Sequence, residues 1–327
     1  MTRDKAPRLG ILLPTRGILL KGETPPDLSP LFAMAQEAEE AGLDSVWVGD
    51  SLVSKPRLEP LATLAAVAMR TQRIKLGTAV LLAPLRQPVQ LAQMAATVDV
   101  LSSGRLVLGM GVGGVFTDSQ KQEWLSVGVP PEERGRRMTE LVQVCHRLWT
   151  EDEITFSGRY FQLDNVAMDP KPVQPGGVPM LLACHHGTGS EAQYRRAARY
   201  ADGIIAISDT PDQFAETLAR VRSHATEAGR DGADLSAAFY MTVNLNQDRD
   251  VAWREADDFI RSYYGLNFWA DKWGPFGRPE DVARRIVEYS QAGAEEVIVR
   301  FASTDQLGQF RTFLQEVVPR VREGTRG

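Results

Sequence analysis

The 327-residue chain has little cysteine and no long apolar stretch. Its two cysteines, Cys145 and Cys184, cannot build the dense disulfide framework of a small secreted protein. No apolar run approaches the roughly 18 residues of a membrane span, and the N-terminal segment MTRDKAPRLG lacks the apolar core of a secretory signal. These absences predict a cytoplasmic protein that neither carries disulfides nor enters a membrane.

An excess of positive charge is also missing. Lysine and arginine number 37 against 42 aspartates and glutamates, which gives a net charge of −5. A protein that binds nucleic acid phosphates normally carries a basic surface. The composition therefore argues against a nucleic acid partner and favours a small-molecule ligand, while 43% hydrophobic and 24% charged residues are ordinary for a globular fold.

Short apolar runs alternate with helical patterns along the whole chain. Each predicted strand is followed by at least one helix, and a capping box at Thr210 and Gln213 marks one helix start. Strands that are apolar on both faces are typical of a parallel sheet covered by helices. The pattern predicts a single α/β domain over residues 1–327, a (β/α)8 TIM barrel. Its strands are expected at residues 9–13, 45–48, 74–82, 105–110, 180–183, 203–207, 237–245 and 296–301.

Two stretches are longer than barrel connections need. Residues from about 112 to 179, between the fourth and fifth strands, contain one amphipathic helix, and the rest is predicted to be an insertion. Residues 263–276, YYGLNFWADKWGPF, hold six of the chain's 25 aromatic residues. Both stretches come after strands, so we expect insertions at the C-terminal face, the second being either a lid or a subunit contact.

Residues 109–114 satisfy the pattern G-x-G-x-x-G. A dinucleotide site needs this pattern in the first strand–helix unit with a helix directly behind it. Here it ends the fourth strand and is followed by Val115-Phe-Thr-Asp-Ser119. We therefore favour a glycine-rich strand end at which the backbone can approach a flat ligand.

Residues 184–190, CHHGTGS, end the fifth strand and precede a helix. A metal site is disfavoured because consecutive residues rarely face one ion and no further Cys or His completes a ligand set. Glycines and hydroxyls at a helix N-terminus suit a phosphate, since free N–H groups and the helix dipole attract an anion. This predicts a phosphate site at Gly187, Thr188, Gly189 and Ser190, with a plain helix cap as the alternative.

Two other strand ends leave alternatives open. Asp50, after the second strand, can bond a cofactor or cap the following loop equally well. Residues 76–80, LGTAV, suit a planar ligand, although tight packing inside the barrel explains them better from spacing alone. No Ser-His-Asp triad and no phosphate-binding P-loop can be placed.

Several segments together resemble the bacterial luciferase-like family of flavin- or deazaflavin-dependent oxidoreductases and monooxygenases. They lie in the family's order over nearly the whole chain and are specific for the family rather than for a substrate. The segments are AEEAGLDSVWVGD (38–50), LGTAVLLAPLRQP (76–88), AATVDVLSSGRLVLGMGVG (95–113), ERGRRM (133–138), LWTEDEITFSGRYF (148–161), PKPVQ (170–174), AARYADG (197–203) and FGRPE (276–280).

The resemblance implies an FMN or coenzyme F420 ring at the C-terminal strand ends, with its phosphate near the fifth strand and the following helix. It also implies a non-proline cis peptide between Ala79 and Val80, in a bulge behind the ring. The cofactor contacts that it implies are at Pro14, Asp50, Thr78, Ala79, Val80, Gly111, Val112 and Gly113, beside the phosphate loop 187–190.

Departures from the family limit the mechanism. Several relatives carry histidine where Ser51 stands, and the sugar-phosphate dehydrogenases of the family have glutamate in place of Gly114, so their acid–base pair is missing. His185 and His186 remain as candidates for proton transfer, and hydrogen bonding to phosphate or loop is an equal alternative.

The resulting hypothesis is an oxidoreductase of the luciferase-like type acting on a small, apolar or aromatic organic substrate. Coenzyme F420 would support hydride transfer, whereas FMN would support oxygenation with a separate flavin reductase as partner. A homodimer is expected, with residues 61–69 as a candidate interface, although packing against the barrel explains their amphipathic pattern equally well. The alternative functions are a non-catalytic flavin-binding barrel and a barrel lyase of a phosphorylated metabolite.

Overall fold

The computed structural model describes residues 6–187, 191–267 and 272–324, in which eight parallel strands close into a barrel. All strands of the described residues, including three outside the closed barrel, are in chain order β1 (Arg8–Leu12), β2 (Ser45–Val48), β3 (Lys75–Leu81), β4 (Leu106–Met110), β5 (Glu153–Ser157), β6 (Gln162–Ala167), β7 (Met180–Ala183), β8 (Gly203–Ile207), β9 (Ser236–Leu245), β10 (Phe276–Gly277) and β11 (Glu296–Phe301). The barrel order is β1-β2-β3-β4-β7-β8-β9-β11, and β11 pairs with β1 to close it. The predicted (β/α)8 TIM barrel is confirmed.

Helices cover the outside of the barrel, as the alternation predicts. They are α1 (Gly17–Leu20), α2 (Ser29–Glu40), α3 (Pro60–Ala68), α4 (Pro88–Ser102), α5 (Asp118–Leu125), α6 (Arg134–Thr150), α7 (Glu191–Tyr200), α8 (Pro211–Glu227), α9 (Arg249–Tyr264), α10 (Pro279–Gln291), α11 (Gln306–Thr312), a π-helical turn (Phe313–Val317) and α12 (Val318–Gly324). The capping box of Thr210 and Gln213 begins α8 as predicted. Among the residues described, no helix combines the length and apolar character of a membrane span.

Trp47 fills the lower interior of the barrel. It is 1% exposed, and its indole Nε1 donates to Ser45 Oγ at 2.6 Å. Gly10 and Gly77 on the neighbouring strands make room for it, because a Cβ at Gly77 would collide with the six-membered ring of Trp47. Smaller inward-facing side chains, including Ala79 and Ala183, lie nearer the carboxyl ends of the strands. The interior is therefore closed at the bottom and can open only at the top.

The long insertion divides into two parts. Residues 112–133, with α5, stay at the C-terminal face, as predicted. Strands β5 and β6 form an antiparallel hairpin that packs against α6. The Glu140 carboxylate on α6 accepts the backbone N–H groups of Arg159 and Tyr160, both at 2.8 Å.

Candidate active site

A cleft opens at the carboxyl ends of the barrel strands, with about 1020 Å³ of empty space that includes its mouth. Its floor is apolar and built from small or branched side chains, and its walls carry polar and charged groups from several loops. The floor residues are Leu12, Ala79, Val80, Ala183, Ile205 and Ile207. Strand ends of a TIM barrel are where ligands bind, so this cleft is the candidate active site.

The floor is shaped by an irregularity in β3. The peptide bond between Ala79 and Val80 is cis, as the resemblance implies, and the pairing of β3 with β4 shifts register between Thr78 and Leu81. Gly111 lies directly behind Val80, because a Cβ at Gly111 would lie 2.8 Å from Val80 Cγ2. Ala79 and Val80 thus face the cleft, and glycine on β4 leaves space for the bulge.

Asp50 lines the cleft and is held by two partners. Arg86 Nη1 donates to Asp50 Oδ2 at 2.5 Å and Arg86 Nη2 to Oδ1 at 3.1 Å, while the backbone N–H of Leu82 donates to Oδ2 at 2.9 Å. The side chains of Asp50 and Arg86 are 1% and 12% exposed. Burial alone would lower the pKa of Arg86, but the charge of Asp50 raises it overall. The carboxylate is therefore fixed in position and paired with a cation, and Arg86 is a site residue that the sequence analysis missed.

A second buried carboxylate organises the loop after β2. Glu123 on α5 accepts the hydroxyl of Ser51 at 2.5 Å and the backbone N–H of Val53 at 3.0 Å. Ser51 Oγ in turn accepts the backbone N–H of Lys55 at 2.9 Å. Ser51, Lys55 and Glu123 all line the cleft. The residue that replaces the relatives' histidine is thus part of a network that positions Lys55.

Aromatic rings surround a buried guanidinium on one side of the cleft. Arg300 on β11 is 0% exposed, and its Cζ lies 4.7 to 5.5 Å from the ring centres of Tyr240, Tyr263, Tyr264 and Trp273. Its Nη1 donates to the Tyr264 hydroxyl oxygen at 2.5 Å, and its Nη2 donates to Thr242 Oγ1 at 2.8 Å. The three tyrosines line the cleft, so the aromatic segment does contribute to the pocket wall.

Three further cations gather beside the same tyrosines. Arg16 Cζ and Arg57 Cζ lie 5.2 and 5.5 Å from the ring centre of Tyr263, and Lys55 Nζ lies 5.4 Å from that of Tyr264. Burial lowers the pKa of Lys55 to about 8, and the neighbouring Arg57 adds to the effect. The cluster forms between distant parts of the chain, because Lys55 and Arg57 come from the loop after β2, Arg16 comes from the loop after β1, and the tyrosines end α9.

The two histidines occupy different surroundings. His185 lines the cleft, and the backbone N–H of Ile207 donates to its Nδ1 at 3.4 Å. Burial lowers its pKa to about 4, so the ring is neutral at pH 7 with its proton on Nε2. His186 lies outside the cleft lining, with its Nε2 3.1 Å from Glu216 Oε2. Only His185 is positioned to meet a ligand in this cleft.

The other predicted contacts lie around or behind the cleft. Gly113 lines it, whereas Val112 packs against the main hydrophobic core. Thr78 is buried and its hydroxyl donates to the Gly109 carbonyl at 2.8 Å, and Pro14 is buried at the end of β1. Gly187 is exposed with a φ of +71°. The rest of the predicted phosphate loop, Thr188, Gly189 and Ser190, lies outside the described residues, as do residues 268–271 of the aromatic segment.

The fold is that of a TIM barrel with a cleft at the carboxyl ends of its strands. The sequence profile of the luciferase-like monooxygenase family matches residues 8–271. The chain belongs to this family, and it is an oxidoreductase, in agreement with the hypothesis from the sequence.

Curated relatives match along nearly their whole length. The F420-dependent glucose-6-phosphate dehydrogenase of Kineococcus radiotolerans is 30% identical over 89% of this chain and 93% of its own. The enzyme of the same name from Nakamurella multipartita is 29% identical, covering 90% and 93%.

Solved structures confirm the fold. Monooxygenase RslO1 from Streptomyces bottropensis superimposes with a TM-score of 0.79 at 21% identity, covering 95% of this chain and 99% of its own. An F420-dependent secondary alcohol dehydrogenase, solved with an F420–acetone adduct, gives a TM-score of 0.78 at 21% identity, covering 97% and 100%.

Proposed function

We propose that the protein is a coenzyme F420-dependent dehydrogenase that transfers a hydride between the deazaflavin and a small organic alcohol or carbonyl compound. The observation that carries the proposal is the apolar cleft floor at the bulge of Ala79 and Val80, backed by glycine at 111. Full-length relatives that carry F420 in their names favour the deazaflavin over FMN.

The residues present fit a planar ring. The floor side chains are small or branched and lie at the strand ends. A Cβ at Gly113 would lie 3.0 Å from Leu82 Cδ2, so glycine keeps this part of the site open for a ring. Ala79, Val80, Gly111 and Gly113 would hold the ring, and residues 187–190 its phosphate. The bound cofactor would supply two-electron hydride transfer, while the protein orients the reactants and excludes water.

His185 provides a hydrogen-bond donor to the substrate rather than a strong base. Its Nδ1 accepts from Ile207 and its pKa is about 4, so Nε2–H is available to a carbonyl or alcohol oxygen at neutral pH. Ser51 and Gly114 stand where the sugar-phosphate dehydrogenases carry their acid–base pair. The proposed reaction is therefore a hydride transfer like theirs, but it does not use their acid–base pair. The rings of Tyr263 and Tyr264 would contact an apolar or aromatic part of the substrate.

Titration with F420 and with FMN, followed by cofactor fluorescence, tests the proposal. We expect F420 to bind in the micromolar range typical of a specific cofactor site, near −8 kcal/mol, and FMN to bind more weakly. Gly111→Val should weaken F420 binding by forcing Val80 into the ring site, whereas Gly135→Ala on α6 should not. Tighter binding of FMN, with oxygen uptake once a flavin reductase is added, would instead favour a monooxygenase. Binding of neither cofactor would contradict both forms of the proposal.

We also propose a homodimer formed through α3 and α4. Met69, Met94 and Leu101 on this side of the barrel are 66%, 38% and 46% exposed, and large apolar side chains on one surface favour burial against a second copy. Light scattering after size-exclusion chromatography should give a molar mass of about twice that of one chain. Met69→Lys should shift this mass towards that of one chain. A monomeric wild-type protein would contradict the proposal.

A further inference from the structure

We infer that Lys55 and Arg57, which line the cleft, and Arg16, which shares the ring of Tyr263 with Arg57, form a recess that binds an anionic group, carboxylate or phosphate, of the substrate. The inference deepens the proposed function, on which it rests, by naming the substrate class as a small organic acid or phosphate ester. We call these three residues the cation recess.

The cation recess is built by loops that converge at the top of the barrel. Arg16 comes after β1, and its Nε and Nη1 donate to the carbonyls of Tyr263 and Pro56, both at 3.0 Å. Arg57 comes after β2, and its Nη1 occupies the space that a Cβ on Gly49 would need. Glycine at position 49 therefore lets this guanidinium reach the wall of the cleft, close to the cofactor floor.

Positive charge in the cation recess is only partly offset by neighbouring carboxylates. Within the described part of the chain, the ion pairs do not include Arg16, Lys55 or Arg57. Asp50 is paired with Arg86. Glu123 accepts from Ser51 and from the backbone N–H of Val53 in the same loop, and its charge partly opposes the lowering of the Lys55 pKa.

The crowding of like charges in the cation recess favours the binding of an anion there. Burial lowers the pKa of Arg16 and that of Lys55, and Arg57 contributes to both shifts. Partly buried cations are costly unless a counter-charge joins them. A bound carboxylate or phosphate would supply that charge through hydrogen bonds that are stronger than neutral ones.

The position of the cation recess favours the substrate over the cofactor phosphate. In the barrel order β1-β2-β3-β4-β7, the recess residues follow β1 and β2, which are four and three strands away from β7 and so lie on the far side of an eight-stranded barrel from it. The predicted phosphate loop, residues 187–190, comes directly after β7. A cofactor whose phosphate is anchored there would leave the cation recess, on the far side of the cleft, to the substrate.

Calorimetric titration with inorganic phosphate and with acetate tests the cation recess directly. We expect phosphate to bind the wild-type protein, and Arg57→Gln and Lys55→Gln each to weaken that binding about tenfold, the effect of losing a charge-assisted hydrogen bond. The control is Arg254→Gln, which removes an exposed guanidinium on α9 and should leave phosphate affinity unchanged. Circular dichroism verifies that the variants fold, and if Arg57→Gln does not fold, Lys55→Gln decides.

F420 titration of the same variants distinguishes the alternatives. An unchanged F420 affinity in Arg57→Gln and Lys55→Gln supports a substrate recess, whereas a tenfold loss would assign the cations to the cofactor and overturn the inference. Equal phosphate affinity in wild type and variants would also overturn it. If the wild-type protein binds phosphate through Arg57 but binds no F420, the proposed function fails while the anion site stands.

Discussion

Asp50 shows what a single residue at a strand end can and cannot reveal. Its position after β2 made it a candidate, with capping of the following loop as an equal alternative, and the structure places it in the cleft. Its partner Arg86, 36 residues away, was not predictable because the pair forms only when the loops after β2 and β3 meet. The same holds for Glu123 and Arg300, whose contacts come from distant elements. Ala79, Val80, Gly113 and His185 also line the cleft.

Asp50→Asn should destabilise the fold by about 3 kcal/mol, because it leaves the Arg86 guanidinium with a weakened counter-charge in a largely buried site. Urea unfolding would measure the change in free energy. The matched control is Glu151→Gln, which breaks an exposed ion pair with Arg147 and should lower stability far less. Equal losses in the two variants would contradict the assigned role of Asp50.

Titration of Asp209 should make the free energy of unfolding depend on pH. Burial raises its pKa to about 6 from an ordinary value of 3.8. Between these values the folded state binds more protons than the unfolded state, so the free energy of unfolding falls as pH rises through this window. Asp209→Asn keeps an acceptor for the His186 N–H but cannot ionise.

The variant should therefore lose that part of the pH dependence, about 1–2 kcal/mol after allowance for solvent screening. Urea unfolding at intervals from pH 4 to pH 7 would measure it. Identical slopes for wild type and Asp209→Asn would show that Asp209 titrates normally.

At the scale of elements, regular strands and helices were predictable, whereas the insertion was not. Strands β1 to β4 and helix α8 obey apolar periodicity and caps that lie within a few residues of one another. The hairpin of β5 and β6 carries exposed and buried positions that depend on the surface of α6, and its attachment through Glu140 spans about 20 residues. Local periodicity could not show on which side of the barrel this hairpin would lie.

Glu140→Ala should loosen the hairpin without affecting the cleft. Three backbone N–H groups, at residues 159, 160 and 161, donate to this carboxylate, and their loss should cost about 1–2 kcal/mol of unfolding free energy. Hydrogen exchange at these amides should accelerate, while F420 affinity stays constant because the hairpin does not line the cleft. Exposed Glu132 serves as the control, since Glu132→Ala should leave exchange at residues 159–161 unchanged.

At the scale of the whole molecule, the stability of the fold depends on how side chains fill the barrel interior. Trp47 occupies the lower interior only because Gly77 opposite it has no side chain. Gly77→Ala should destabilise the fold by about 3 kcal/mol, at the upper end of overpacking costs. Gly135→Ala is the matched control, because its Cβ would lie 3.5 Å from the nearest atom, Arg196 Nη2, and alanine favours a helix by about 0.5–1 kcal/mol.

Thermal and urea unfolding should show a lower free energy of unfolding than wild type for Gly77→Ala and a higher one for Gly135→Ala, if the interior is as tightly packed as the structure indicates. A Gly77→Ala protein as stable as wild type would mean that Trp47 has room to move.

Sequence by itself determined the barrel and the family, because strand and helix periodicity, helix caps and glycine-rich strand ends are properties of neighbouring residues. It also indicated that a ligand binds where strands β2, β3, β4 and β7 end. Only the tertiary structure decided the charge and shape of the cleft. Arg16 and Tyr263 are 247 residues apart and meet because β1 and β9 are separated by a single strand, β11, in the closed barrel. Such contacts arise from barrel closure, which brings distant loops to one face, and no local pattern carries that information.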